Sequence, residues 1–290
     1  MNHSQFVVPP GKKIRLTDYD PGFTGQYNNK GEASAKLKKD IKRLAKYQEV
    51  LHAANTYAVL VILQGMDTAG KDGTIRHVMS GVDPQGTQVH SFKTPSAEEL
   101  GHDFLWRHVK ALPERGEIGI FNRSYYEEVL VVRVHPELLD RQRLPPGTRG
   151  TRLWANRFDQ INDFERYLVR NGIVVLKFFL NLSRDEQKRR LLERIDRREK
   201  HWKSSPADVT ERGLWDDYMK AYEAALNHTS TSSAPWYIIP ADHKWFTRTV
   251  VADLIIDRLE SLELTYPTLS KEGRQHLAEA KALLESEPAG

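Results

Sequence analysis

Tyr57-Ala58-Val59-Leu60-Val61-Ile62-Leu63-Gln64-Gly65-Met66-Asp67-Thr68-Ala69-Gly70-Lys71-Asp72-Gly73-Thr74-Ile75 is the stretch that decides the fold. Its first part is continuously apolar and rich in β-branched residues, the composition of a parallel strand buried on both faces. The strand reading ends at Gly65, where the spacing Gly-x4-Gly-Lys begins. That spacing fits a phosphate-binding loop leading into a helix. Glycines let backbone N–H groups converge on phosphate oxygens, the helix N-terminus adds positive potential, and the lysine supplies a point charge. The candidate phosphate- or nucleotide-binding residues here are therefore Gly65, Met66, Thr68, Ala69, Gly70, Lys71, Asp72, Gly73 and Thr74.

Outward from this junction the pattern repeats. Short apolar runs occur at 117–121, 173–180 and 236–239, with a weaker one at 87–92, and helical segments separate them. Before the first strand, Leu37, Ile41, Leu44, Tyr47 and Leu51 recur every three or four positions, which predicts an amphipathic helix from Ala33 to about Ala54. Its other face carries Lys36, Lys38, Lys39, Lys42, Arg43 and Lys46, either a solvated face or one lining an anion path. Ser96-x-x-Glu99 and Ser183-x-x-Glu186 are capping boxes that predict helix starts. Pro206 after Ser205 predicts a proline in another first turn, and 270–284 a C-terminal helix. Strands alternating with helices imply an α/β protein with a parallel central sheet and right-handed crossovers. No repeat or linker divides the chain, so one domain over 1–290 is expected: an arm and basic helix (1–55), a lid near 183–205 and a helical tail (266–290).

Composition narrows the class. A chain of 290 residues with 39% hydrophobic and 28% charged residues is that of an ordinary soluble protein. The apolar run Ala58 to Leu63 is far too short to span a bilayer, and the first residues lack the pattern of a secretory signal. The absence of cysteine removes disulfides, thiol nucleophiles and cysteine-ligated metals. Basic and acidic residues, 43 against 39, are too evenly matched to indicate a nucleic-acid binder. A cytoplasmic enzyme or binding domain is expected, with no membrane and no nucleic acid among its partners.

The phosphate loop carries two unusual carboxylates. Asp72 stands where a Ser or Thr normally ligates magnesium, and Asp67 lies inside the loop. A bare carboxylate about 4 Å from a phosphate is repelled by roughly 1–4 kcal/mol, and a divalent cation between them removes the conflict. Asp67 is thus a candidate Mg2+ ligand, or else a turn residue bonding its own backbone. Asp72 reads more simply as an acid in a first helical turn. A second loop, Asn122-Arg123-Ser124-Tyr125-Tyr126-Glu127, follows the run at 117–121. Strand ends next to a phosphate loop help hold metal, and Asn122 offers a neutral oxygen for that. Arg123 can fork onto phosphate oxygens. Glu127 either closes a capping box on Ser124 or serves metal, water or nucleotide. The helix opened by Ser183 carries Arg184, Lys188, Arg189 and Arg190, placed where kinases of this architecture carry a lid. Phe104 and Trp106 could stack on a base, although helix packing explains each more simply.

Taken together, the loop 65–73, the block Phe121 to Glu127, Ala234-Pro235-Trp236, Lys244-Trp245-Phe246, Glu199-Lys200-His201-Trp202-Lys203 and Leu214-Trp215-Asp216-Asp217-Tyr218 resemble the polyphosphate kinase 2 family over nearly the whole chain. The resemblance implies a three-layer α/β/α P-loop kinase fold, similar to thymidylate kinases, with a helical lid. It also implies reversible, Mg2+-dependent phosphoryl transfer between inorganic polyphosphate and nucleotides, with Mn2+ as a substitute metal. On matching positions it gives Asp67 to the metal, Lys71 to phosphate and Arg123 to the transferring group, with Arg184, Arg189 and Arg190 closing over it. Asn122 departs from the Asp of many members. With Glu127 nearby it resembles the subgroup that accepts both nucleoside mono- and diphosphates, which leaves the second metal ligand, Asn122 itself, unsettled. The partners implied are polyphosphate, adenine nucleotides with guanine as a second base, and further copies of the chain, as family members commonly form homo-oligomers.

The expected activity is formation of ATP from ADP, and ADP from AMP, with polyphosphate as donor. An ATP-dependent nucleoside-monophosphate kinase is the competing enzyme, separated from the first by its donor. A regulator that binds nucleotide or polyanion without turnover is the third reading, supported in sequence only by Asn122.

Overall fold

The computed structural model describes residues 1–203 and 205–287; position 204 of the expected lid and 288–290 of the expected tail lie outside it. Five strands form one parallel sheet: β1 (Ala58–Gln64), β2 (Thr87–Ser91), β3 (Ile118–Asn122), β4 (Ile173–Asn181) and β5 (Trp236–Pro240), in the order β2-β3-β1-β4-β5. The first strand is central and buried at every position, as its unbroken apolar run requires.

Among the described residues ten α-helices surround or extend the sheet: α1 (Lys30–Ala54), α2 (Lys71–Val78), α3 (Trp106–Val109), α4 (Val131–Val134), α5 (Leu153–Arg170), α6 (Arg184–Asp196), α7 (Pro206–Gly213), α8 (Trp215–Thr229), α9 (Lys244–Glu260) and α10 (Lys271–Glu285). Side chains alternate across the strands and so feed two cores. Val59, Val61, Leu63, Leu176 and Phe178 pack with Leu44 and Leu51 of α1 and Val250 and Leu254 of α9. Leu60, Ile62, Phe121, Val175 and Phe179 pack on the other face with Phe158 of α5 and Tyr222 of α8. The sheet is therefore the middle of three layers.

Each expected strand lies within a residue or two of its predicted bounds. The box at Ser183 caps α6, with the Glu186 N–H donating to Ser183 Oγ at 3.1 Å, and Pro206 opens α7. The box at Ser96 closes as well, Glu99 N–H to Ser96 Oγ at 3.2 Å and Ser96 N–H to Glu99 Oε2 at 2.8 Å. Yet only the 3-10 turn Glu99–Gly101 follows it: the chain passes Gly101 into an extended His102 (φ −112°, ψ 177°) and turns afresh at Asp103, whose Oδ1 accepts from the Leu105 N–H at 2.9 Å. The basic face of α1 is also less free than its spacing suggests. Lys36 bridges Asp40 (2.6 Å) and Asp253 of α9 (2.5 Å), and Arg43 reaches Glu260 at 3.2 Å.

Strand register sets the site. Leu63 pairs with Asn122 and Gln64 with Phe179, so β1, β3 and β4 end at one edge, where the loop after β1, the turn after β3 and the start of α6 converge.

Candidate active site

The loop between β1 and α2 is shaped by its backbone. Gly65 has φ +155°, and a Cβ there would meet the Leu180 carbonyl oxygen at 2.9 Å, so the adjoining strand leaves no room for a side chain. Thr68 and Gly70 also take positive φ, 63° and 104°. At the start of α2, Lys71 folds back over the loop, its Nζ donating to the carbonyls of Gly65 (2.7 Å) and Met66 (3.2 Å). Burial, then the nearby Arg123, pull its pKa down to about 8 against the opposing carboxylates Asp67, Glu127 and Asp72. The predicted loop lysine and the predicted second-loop arginine therefore face one another.

The turn after β3 supplies the other half. Asn122 donates its amide to Asp72 Oδ1 at 2.7 Å and to Ser91 Oγ at 3.4 Å, which ties the β3 end to the first turn of α2. Asp72 thus belongs to the site as well as to the helix start. Arg123 has a left-handed φ of 64°, and its Nη1 lies 3.5 Å from Glu127 Oε2; that carboxylate raises the guanidinium pKa. Ser124 Oγ accepts from Tyr126 N–H, while Glu127 Oε1 accepts from Gln64 Nε2 at 3.1 Å. The Ser124–Glu127 capping box is therefore not closed, and the Glu127 carboxylate instead bridges Gln64 and Arg123.

The helix α6 lies over the loop, and its cations divide into two groups. Arg184, Lys188 and Arg189 are exposed, with Arg189 held to Glu186 at 2.5 Å. Arg190 is buried and commits its donors to protein: the carbonyls of Thr68 (2.9 Å), Ala69 (3.2 Å), Ala241 (2.6 Å) and Asp242 (2.9 Å), and Glu186 Oε1 (2.7 Å). Where closure over phosphate was expected of Arg190, it here clamps the loop backbone to α6 and the segment after β5. Arg194, a further cation of the same helix, contacts Asp67 Oδ2 and Asp208 Oδ2, both at 3.0 Å.

Two further features escaped sequence reasoning. A cation cluster forms beside α2: Arg248 Nη2 approaches the Gly73 position to 3.4 Å, and burial with Arg190 and Arg76 lowers the Arg248 pKa. Lys244 is likewise lowered by burial and Arg190. These residues come from α2 and α9, far apart in sequence, and only the Lys244-Trp245-Phe246 block hinted at them. The second feature is a cavity of about 670 Å3 that Arg123 helps to line, together with Lys93, Phe104, His108, Glu127, Arg141 and Arg157 among others. The Phe104 ring carries the Arg157 guanidinium at 4.4 Å, whereas Trp106 stacks on His102 at 3.9 Å. Burial and Arg107 push the His108 pKa down to about 3, so this imidazole is uncharged at physiological pH. Among the described residues no group of three or more His, Asp or Glu gathers to hold a metal by protein ligands alone.

A parallel sheet with a glycine-shaped loop at its central strand, a lysine and an arginine opposed across the strand ends, and an overlying basic helix define a P-loop kinase fold. The polyphosphate kinase 2 family model matches residues 27–266, and the chain belongs to that family. Among its relatives, the ADP-polyphosphate phosphotransferase of Rhodopseudomonas palustris is 49% identical over 281 residues, 97% of each protein. The AMP/ADP-polyphosphate phosphotransferase of Meiothermus ruber is 44% identical over 264 residues, 91% of this chain and 95% of that one. The crystal structure of polyphosphate kinase 2 from Arthrobacter aurescens superposes with a TM-score of 0.86 at 42% identity, covering 96% of this chain and 95% of that one.

Proposed function

We propose that the chain transfers phosphoryl groups reversibly between inorganic polyphosphate and adenine nucleotides, forming ATP from ADP and ADP from AMP. The observation that carries this reading is the closeness of Lys71, which opens α2, to Arg123, together with two differently lined regions that adjoin α2 and Arg123 respectively. One is the cation cluster of Arg76, Lys244 and Arg248, suited to a polymeric anion; the other is the cavity beside Arg123, large enough for a nucleoside. The names of the relatives from R. palustris and M. ruber support both the donor and the acceptors.

Phosphoryl transfer needs alignment and charge neutralisation more than covalent help. In this proposal the loop amides and Lys71 hold the donor phosphates, Arg123 meets the transferring group, and Glu127 keeps the guanidinium oriented. Arg184, Lys188 and Arg189 are the exposed cations of α6 available to the polyanion. A divalent cation, Mg2+ or Mn2+, would neutralise phosphate charge when bound. Mg2+ in such sites keeps several waters and takes one or two carboxylates, the rest of its shell coming from phosphate. Asp67 fits that role, since its buried Oδ2 has no hydrogen-bond partner among the described residues and lies 3.0 Å from the Arg194 cation. Asn122, tied to Asp72, is the second residue that would hold the ion.

Other parts of the proposal rest on plainer support. A cytoplasmic setting agrees with anionic substrates and with the lack, among the described residues, of a helix able to cross a membrane. One domain is supported by two cores sharing one sheet, and self-association by α10, which buries none of its residues and exposes Leu277, Leu283 and Leu284.

The test is chromatographic analysis of nucleotides after incubation with Mg2+, long-chain polyphosphate and either ADP or AMP, without ATP. ATP from ADP and ADP from AMP are expected. No product there, together with two ADP from ATP plus a monophosphate, would overturn the reading in favour of a conventional kinase.

A further inference from the structure

A buried ion cluster stands directly behind the Arg123 turn. Lys177 interrupts the apolar run of β4 and has no solvent exposure. Its Nζ donates to Glu165 Oε2 at 2.5 Å, to the Thr229 carbonyl at 2.6 Å and to the Tyr126 hydroxyl at 3.0 Å, which uses all three protons. The other oxygen of Glu165, on α5, accepts from the hydroxyls of Tyr125 (2.9 Å) and Tyr126 (2.7 Å). Trp236 of β5 completes the enclosure, donating from Nε1 to Thr229 Oγ1 at 2.9 Å with its ring 4.6 Å from that of Tyr126.

Stability does not explain this arrangement. Two charges removed from water cost heavily, and apolar residues of similar volume often make a core as stable or more so. What the cluster supplies is position. Two consecutive tyrosines bonded to one carboxylate oxygen fix the rotation of the 3-10 turn Tyr125–Val129. That turn carries Glu127, and Arg123, two residues before its start, is held at a positive φ that its own backbone disfavours. Strain of this kind persists only where the surroundings over-determine it.

We propose that Lys177 and Glu165 are positioning residues for the reaction: through Tyr125 and Tyr126 they set Arg123 and Glu127 at the strand ends. This rests on the role given to Arg123 above. The test compares wild type, Arg123→Ala, the double apolar variant Lys177→Met/Glu165→Leu, and Tyr125→Phe/Tyr126→Phe. For each, Tm is measured along with kcat and KM for ADP at saturating polyphosphate. The apolar double variant leaves the two tyrosine hydroxyls without their acceptor, so its Tm is expected to fall by some degrees; in the folded protein kcat is expected to fall roughly tenfold or more while KM stays within about twofold, since small misplacements of an aligned group cost rate rather than ground-state binding. A wild-type kcat in the folded variant would overturn the proposal and leave the cluster a core element only. If that variant does not fold, the tyrosine pair decides, because it keeps both rings: a folded pair with wild-type kcat overturns the proposal equally. Should Arg123→Ala itself turn over normally, the failure lies in the role of Arg123 and is told apart by that result.

Discussion

The two turns that meet at the sheet edge are built from different materials. The Gly65–Lys71 loop is held by backbone: positive φ at Gly65, Thr68 and Gly70, a contact with Leu180 that excludes a Cβ, and carbonyls clamped by Arg190. The Asn122–Glu127 turn is held by side chains, with Asn122 on Asp72, Gln64 on Glu127 and two tyrosines on Glu165. A backbone-built loop binds whatever offers phosphate oxygens. A side-chain-built turn fixes where one guanidinium stands, which matters when the group to be met exists only in transit.

The sharpest way to break this contrast is to remove the one side chain on which the loop depends for charge. Lys71→Ala is expected to lower kcat by about a hundredfold or more, in line with the loss of single charge-stabilising donors elsewhere. Its fold should persist, because Lys71 bonds only its own loop carbonyls. Steady-state turnover with ADP and polyphosphate, beside a circular-dichroism melt, checks both halves. Normal turnover in a folded variant would move the chemistry away from the loop.

The same lysine sharpens the comparison through pH. Its pKa is lowered to about 8, chiefly by burial and then by Arg123, so the neutral form gains as pH rises through that value. kcat/KM, which reports the free enzyme, should therefore fall by about tenfold per unit above the pKa. In the bound complex the phosphates favour the charged lysine, and the limb in kcat should move to higher pH. Lys71→Arg should abolish the limb. A kcat/KM profile flat beyond pH 9 would show that the charge on Lys71 is not used.

The difference between the turns also explains how far the sequence could be read. Strands and phosphate loop were legible because their signals are local: an apolar run, glycines at fixed spacing, a lysine one residue on. Capping at Ser183 and the proline start of α7 were local too. The box at Ser96 specifies a beginning and says nothing about where the helix stops, here after three residues at an extended His102. The fate of Glu127 stayed open until Gln64, on a different strand, was seen to reach it. Arg190 carries the same residue type and spacing as Arg189, and only tertiary structure separates a buried clamp from an exposed cation. Lys177 was absorbed into a hydrophobic strand, since nothing near it in sequence announces Glu165 or the tyrosine pair. Backbone-built sites are written in consecutive residues; side-chain-built ones are distributed over the fold.

The smallest expected effect concerns the metal, and it divides the two turns most finely. Asp67 comes from the backbone-built loop and Asn122 from the side-chain-built turn, and both are proposed to hold the ion. Asp67→Asn removes the charged ligand, so the Mg2+ concentration for half-maximal rate should rise several-fold, with kcat recovering at saturating metal. In the structure that carboxylate lies 3.0 Å from Arg194, which is also 3.0 Å from Asp208 beyond α6. Metal entering at Asp67 has to compete with this cation, and the contact would slacken between the loop and α7 as it does. Arg194→Met should accordingly shift the Mg2+ titration the opposite way, to lower concentration. If Asp67→Asn leaves the titration where it was while Asn122→Ala moves it, the ion is held by the turn rather than the loop. Asp67 would then act through its pairing with Arg194 alone.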